Sequence, residues 1–334
     1  MTAANLPPDP QPTSNLPDGS AMRTSRFSMI RSVWDSAGML LLFLFLFIVC
    51  SVTVPDFLTR NNMIGLSLSV TTVGIVGCTM LFCLASGDFD LSVGSVLALA
   101  GVVAAIVTNN HGMVLGLLAG CCAGAAVGVV NGLVIAGLGI NALIATLATM
   151  QIVRGSAYII SDGNSIGIAD MRFLQLGNAM IAGTPAPVWI MAACFVFFGL
   201  LLHKTIFGRN TLAIGGNREA ARLAGINVTR SKIIIFAMQG LVAGVAGVVS
   251  AAQTGLGDPK EGQGLELRVI SACVLGGVSL TGGIGTILAV IVGALIMGTV
   301  QNAMDLKNVP TFYQYVASGL ILLAAVLLDR LKRR

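Results

Sequence analysis

The chain has 334 residues, of which 55% are hydrophobic and only 10% charged, with a mean hydropathy of +0.90; soluble globular proteins carry about 25% charged residues. A water-soluble fold is excluded, and 41 glycines beside a 6% aromatic share suit closely packed membrane helices. The formal charge of +5 does not indicate nucleic-acid binding, because the basic residues cluster beside apolar runs, where orientation in a bilayer explains them.

Residues 1–30 are polar, hold half of the 10 prolines and read as a disordered tail. The first apolar run, 37–54, is too long for a signal-peptide core and lacks a small-residue cleavage site after it, so it reads as a retained span. Further runs follow at 62–86, 91–108, 113–137, 140–160, 187–203, 232–253, 268–281, 284–303 and 311–328. The expected fold is an all-α polytopic membrane protein of about ten transmembrane segments, its membrane domain covering 31–334. The pair 268–281 and 284–303 forms either two short crossings or a re-entrant pair broken at Gly282, Gly283 and Gly285.

Most Lys and Arg residues fall in three places: Arg23, Arg26 and Arg31; Lys204, Arg209, Arg218, Arg222, Arg230 and Lys232; and Arg330, Lys332, Arg333 and Arg334. Ten crossings put all three on one side, as the positive-inside rule requires, so both termini and the 204–232 connection are expected in the cytoplasm. The connections 161–186, 258–266 and 305–310 then lie outside. Gly112, Gly116, Gly120, Gly124, Gly128 and Gly132 recur every four residues and predict a smooth helix face packed tightly on another helix.

Little in the chain can carry covalent chemistry. There is no P-loop and no GxGxxG, His111 and His203 both stand at predicted span ends, and the seven cysteines lie in apolar runs without metal-ligand spacing, as small packing residues would. No metal, no cofactor and no enzymatic activity are expected. Between Arg60 and Arg154 the only charges are Asp88 and Asp90, in SGDFDLSVGS. A carboxylate at membrane depth costs about 2.5–3.5 kcal/mol, so these two belong in a break, cavity or pathway; Asp90 alternatively caps the following helix. Asn131, Asn141, Thr146, Thr149, Gln151 and Arg154 are further polar residues at span positions. Each either lines a pathway or bonds another helix, and Asn141 also reads as a cap. Trp34 and Trp189 sit near predicted interfaces.

In FGRNTLAIGGNREAARLAGINVTR, Asn217 is a good N-cap, Glu219 falls in the first turn, Arg222 in the last, and Gly225 is a natural stop. A short amphipathic helix follows, with Ala220, Ala221 and Ala224 as a smooth face for a partner. Similar acidic, Leu-containing segments, DFDLSVGS and EGQGLELRVISACVLGG, precede short apolar runs on opposite sides, a pattern that suits an inverted repeat.

SGDFDLSVGS, GRNTLAIGGNREAARLAGI and ELRVISACVLGGVSLTGGIG, in this order, resemble the signature stretches of permease subunits from monosaccharide ABC importers of the ribose, xylose and arabinose branch. With NALIATLATMQIVRGSAYIISDG and LFCLASGDFDLSV, the similarity is greatest to the arabinose permeases and covers about 37–330. The resemblance implies a homodimer in the inner membrane, a separate ATPase subunit holding ATP and Mg, and a periplasmic sugar-binding protein. It also implies that Gly216, Asn217, Arg218, Glu219, Ala220, Ala221, Arg222 and Gly225 couple the chain to the ATPase. Asp88, Asp90, Asn131, Asn141, Thr146, Gln151 and Arg154 are the candidates for the translocation pathway or its gating. Two other classes compete: a ten-span secondary transporter driven by an ion gradient, and a membrane scaffold without a pathway.

Overall fold

The structure, a computed structural model, describes residues 38–332; the expected tail 1–30, Arg31, Trp34, Arg333 and Arg334 lie outside the described residues. Each of the ten apolar runs contains a helix. These are α1 (Gly38–Thr53), α2 (Arg60–Ala85), α3 (Val93–His111), α4 (Met113–Gly132), α5 (Ala142–Ile160), α7 (Ala186–Lys204), α10 (Val228–Thr254), α11 (Leu265–Gly276), α12 (Ile287–Leu306) and α13 (Thr311–Lys332). Three short helices lie in the connections, α6 (Met171–Asn178), α8 (Ile206–Gly216) and α9 (Arg218–Leu223). Four two-residue strands, β1 (Ile166–Gly167), β2 (Met180–Ile181), β3 (Thr184–Pro185) and β4 (Leu256–Gly257), pair as β1 with β4 and β2 with β3.

Seven of these helices are long and apolar enough to cross a bilayer, which does not establish the count of ten. α11 differs most from expectation. Its 12 residues span about 18 Å against a hydrocarbon core of about 30 Å. The irregular segment 255–264 leads into it from within the bundle. Leaving α10 at Gly255, whose φ of +73° suits glycine, the chain first lies against the far part of α3, where a Cβ on Gly257 would stand 2.7 Å from the Gly101 carbonyl oxygen. It then folds back until Gly262 meets the first turn of α3: a Cβ on Gly94 would collide with the Gly262 carbonyl oxygen and stand 2.7 Å from Glu266 Oε2. The amino ends of α3 and α11 thus meet inside the bundle.

The same order of parts occurs twice. α2, the irregular segment 86–92, α3, α4 and α5 are matched by α10, the irregular segment 255–264, α11, α12 and α13. α2 and α10 are antiparallel, since Cys83 Sγ approaches Gln239 Oε1 at 3.9 Å near one end of the pair and Leu68–Val73 share a cavity wall with Ser250–Thr254 near the other. One end of the bundle carries α8 and α9. There the joint is built from glycine: Gly283 N–H donates to the Ala85 carbonyl at 2.9 Å, and a Cβ on Gly282 would stand 2.8 Å from the Gly215 oxygen and 3.0 Å from Gly87 N. The opposite end carries α6 and the two strand pairs, with Asn109 of α3 clipping this layer through the Gly167 carbonyl at 2.7 Å and the Ala169 N–H at 3.0 Å.

The fourth-residue glycines of α4 do form a contact face. A Cβ on Gly124 would stand 2.7 Å from Gly244 Cα, one on Gly128 2.9 Å from Gly240 Cα, and one on Gly132 2.8 Å from Ile233 Cα. α10 answers with its own Gly240 and Gly244, so the backbones approach directly. Gly112 is outside this face; it precedes α4 at φ +85° with open space around it. Of the cysteines, Cys50, Cys78, Cys83 and Cys273 are buried packing residues, whereas Cys122 is exposed on α4, contrary to expectation. Replacing Gly128 by Val should cost about 1–3 kcal/mol of stability by overpacking, while Gly155→Ala, inside α5 with nothing within 4 Å, should raise it by up to about 1 kcal/mol; thermal unfolding of the detergent-purified protein measures both.

Candidate translocation site and docking helix

The irregular segment 86–92 brings its polar groups into protein rather than lipid. Asp88 and Lys232 are 9% and 5% exposed, and Lys232 Nζ stands 2.6 Å from Asp88 Oδ2, off the hydrogen-bonding direction. This ion pair fastens the segment to the second turn of α10. Asp90 Oδ1 accepts from the Ser92 N–H at 2.8 Å and from the Ser92 hydroxyl at 2.6 Å. Asn131 Nδ2 donates to Ser92 Oγ at 3.0 Å, and Thr149 Oγ1 donates to Asn131 Oδ1 at 2.7 Å. A polar chain therefore runs from the segment through α4 to α5. The cap expected of Asp90 takes a different form: Ser92 holds the N-cap position of α3 without a side-chain cap bond, and Asp90 braces Ser92.

The second irregular segment is held from α5. Arg154 Nη1 donates to the Pro259 carbonyl at 2.7 Å and the Glu261 carbonyl at 2.6 Å, meeting acceptors that this non-helical turn leaves open. Ser250 Oγ donates to Glu261 Oε1 at 3.2 Å. Asn141 stands apart from both segments as the exposed N-cap of α5, accepting from the Leu143 N–H at 2.9 Å. Thr146 is buried but bonds back to the Ala142 carbonyl of its own helix at 2.8 Å, and Gln151 is exposed. Of the seven expected residues, Asp88, Asp90, Asn131 and Arg154 thus belong to the bracing of the two segments; Asn141, Thr146 and Gln151 do not join it. None of the seven lines the cavity of about 280 Å³ enclosed by α2, α10, α11, α12 and segment 258–264.

α9 has the caps expected of it. Asn217 Oδ1 accepts from the Ala220 N–H at 2.9 Å, Gly225 turns the chain at φ +84°, and Arg222 Nε lies 3.8 Å from Glu219 Oε1 on the surface. Its faces differ from expectation in one respect. Ala221 is buried at 5% exposure and packs with Ile214 of α8, Val228 of α10 and the partly buried Ile226. The free face consists of Ala220, Leu223 and Ala224, with Leu223 80% exposed. Among the described residues no group of His, Cys, Asp or Glu could hold a metal ion.

Residues 62–326 match the protein family described as branched-chain amino acid transport system, permease component. The chain belongs to this permease family. The L-arabinose transport system permease protein of Escherichia coli (strain K12) is 59% identical over 95% of this chain and 96% of its own length. The L-arabinose ABC transporter permease protein of Azospirillum brasilense is 53% identical over 97% and 96%, and the ribose import permease protein of Bacillus subtilis (strain 168) 41% identical over 90% and 94%. No solved structure matches the chain.

As a permease, the chain is a multi-pass membrane subunit and not itself an enzyme. Sequence reasoning missed Lys232 as the partner of Asp88, since it sits in a run of basic residues that reads as one cytoplasmic cluster; its buried neighbours Ile235 and Phe236 are the only local sign that it faces inward. Ser92, Glu261 and Gln239 were missed for the same reason, because partners far along the chain define them. Lys232→Met should destabilise the permease by about 3–5 kcal/mol by leaving Asp88 buried without a counter-charge. The double variant Asp88→Asn with Lys232→Met should recover part of that loss in thermal unfolding; equal destabilisation by both would show that the pair contributes nothing as a pair.

Proposed function

We propose that this permease carries a monosaccharide, L-arabinose, across the inner membrane as the membrane-spanning subunit of an ATP-driven importer. Two copies of the chain form the membrane unit, a separate ATPase subunit docks on α9, and a sugar-binding protein delivers substrate at the α6 end. The observation that carries this reading is α9 itself. A helix of six residues, capped at both ends and backed by α8 and α10, presents an exposed Leu223 between two alanines beside Arg218 and Arg222, which is what a partner needs from a handle: an apolar centre with a polar rim. Identity of 59% and 53% over nearly the whole length of two arabinose permeases supports the substrate class.

The basic residues Lys204, Arg209, Arg218, Arg222 and Arg230 favour placing the α9 end in the cytoplasm. Ten crossings then keep both termini on that side, with segment 255–264 and α11 together making the eighth. The twofold order of long helix, irregular segment and helix, with α2 and α10 antiparallel, supports an inverted repeat of the kind found in alternating-access transporters. In this scheme ATP binding on the partner moves α9, and the two repeats rock about the braced segments to present the path first outward, then inward. The chain makes and breaks no covalent bond.

Reconstitution tests the scheme. Proteoliposomes holding this chain with its ATPase and loaded binding protein should accumulate L-arabinose only when ATP is supplied; uphill uptake by the chain alone under a proton or sodium gradient would establish secondary transport instead. Leu223→Asp, or charge reversal at both Glu219 and Arg222, should lower coupled uptake by about tenfold or more, as loss of an interface hot spot does, at unchanged abundance in the membrane. Ala221→Trp should differ by lowering abundance, because its side chain has to enter the small core of Ile214 and Val228.

A further inference from the structure

We propose that the hairpin of β2 and β3, together with Trp189 near the start of α7, is a lipid anchor that lies in the interfacial layer of the bilayer at the α6 end and is not a surface offered to a soluble partner. The inference goes beyond the transport reading and stands whatever solute the chain carries. It begins with charge. The connection between α5 and α7 changes character part-way: Asp162, Asp170 and Arg172 stand in its first half, and over residues 173–203 there is no Asp, Glu, Lys or Arg. The hairpin, residues 179–185, thus shares one uncharged stretch with the span that follows it.

The fold sets that stretch at the edge of a lipid-facing surface. The 19 residues of α7 span about 28 Å, close to a hydrocarbon thickness of about 30 Å. Trp189, Val196, Phe197 and Leu200 are all exposed, and their spacing puts them on one face of α7 as a continuous apolar stripe. Trp189 stands at the α6 end of the stripe, one turn inside the helix, where an indole suits the boundary between acyl chains and headgroups. Its Nε1 donates to the Ile181 carbonyl at 3.2 Å, so β2 is held beside the beginning of the stripe.

The hairpin is built for that place. Met180 pairs with Pro185 and Ile181 with Thr184, through a two-residue turn whose Ala182 and Gly183 have φ of +51° and +79°, the primed geometry of tight hairpins. The Ala186 N–H donates to the Ala179 carbonyl at 2.8 Å. Strand pairing and the Trp189 bond therefore occupy backbone groups that a partly dehydrated layer would leave unmet. Met180 and Ile181 are 49% and 51% exposed, which is unfavourable against water and favourable against acyl chains. A dock for a soluble partner is rimmed by polar and charged groups, and here the charge stops at Arg172.

Tryptophan fluorescence of the full chain tests the anchor. Trp34 and Trp189 are the only tryptophans, so Trp34→Phe leaves Trp189 as sole reporter, and Ile181→Trp added to that variant puts a second reporter on the hairpin while keeping the Trp189 bond to the backbone. Both variants are reconstituted in phosphatidylcholine vesicles containing phosphatidylcholine brominated either near the glycerol or near the methyl end of its acyl chains. Bromine near the glycerol should quench both reporters about twofold or more above bromine near the methyl end, as for groups held about 5–10 Å into the boundary of headgroups and acyl chains, and aqueous iodide should quench neither. An iodide-quenched component gained with Ile181→Trp would overturn the proposal in favour of a water-facing dock. A gained component that neither iodide nor brominated lipid quenches would overturn it in favour of cover by protein, a second copy of the chain included. Should Ile181→Trp fail to fold, Met180→Trp in the same background is read in the same way, and iodide quenching of Trp189 alone would overturn the anchor without either hairpin variant.

Discussion

Irregular backbone inside a bilayer survives only where protein supplies the hydrogen bonds and charges that lipid cannot. Two stretches of this chain, 86–92 and 255–264, meet that constraint with side chains from distant elements. Lys232 neutralises Asp88, Asn131 reaches Ser92, and Arg154 occupies the carbonyls of Pro259 and Glu261. Each brace joins an irregular segment to a long helix, so α4, α5 and α10 also fix the places where helix is absent. The glycine face between α4 and α10 serves the same end, since Lys232 and Asn131 hold the first segment from those two helices and can do so only if their backbones lie close.

The parts of the fold visible in the sequence were those that local pattern specifies. Glycines spaced by four predict a smooth face whatever lies opposite, and Asn217, Glu219 and Gly225 mark a helix through groups little more than two turns apart. Ala221 illustrates the limit of such reading. In a helix of six residues nothing in the order of the alanines tells which faces the protein, and the choice is made by Ile214 and Val228, which belong to neighbouring helices. α11 illustrates another limit, because hydropathy reports that 268–281 is apolar but not that the residues before it return to the depth of Gly94. Of the residues singled out for the pathway, Asp88, Asp90, Asn131 and Arg154 were legible as polar groups in apolar runs, but their bracing of the irregular segments was not. The cavity was not legible, since four helices and a loop each contribute isolated polar residues to it.

The division of labour between subunits follows from what the permease lacks and what it offers. It belongs to a family of transport permeases and has no nucleotide-binding loop. It offers a capped surface helix at one end and a layer of short strands and α6 at the other. α8 connects these functions to the interior, for its last turn lies against both irregular regions of the α9 end through Gly215, Gly282, Gly283 and Gly87. Glycine at these positions lets three backbone segments meet without intervening side chains, which makes the joint stiff.

The order of synthesis sets a further requirement. Asp88 leaves the ribosome well before Lys232, and Arg154 before the carbonyls of 259–261, so each bracing group spends part of translation without its partner. The first repeat can therefore hold its own irregular segment only through the chain from Ser92 to Asn131 and Thr149 until α10 brings Lys232. During insertion the bundle is thus half-braced, with Asp88 waiting for its counter-charge until the second turn of α10 has been made.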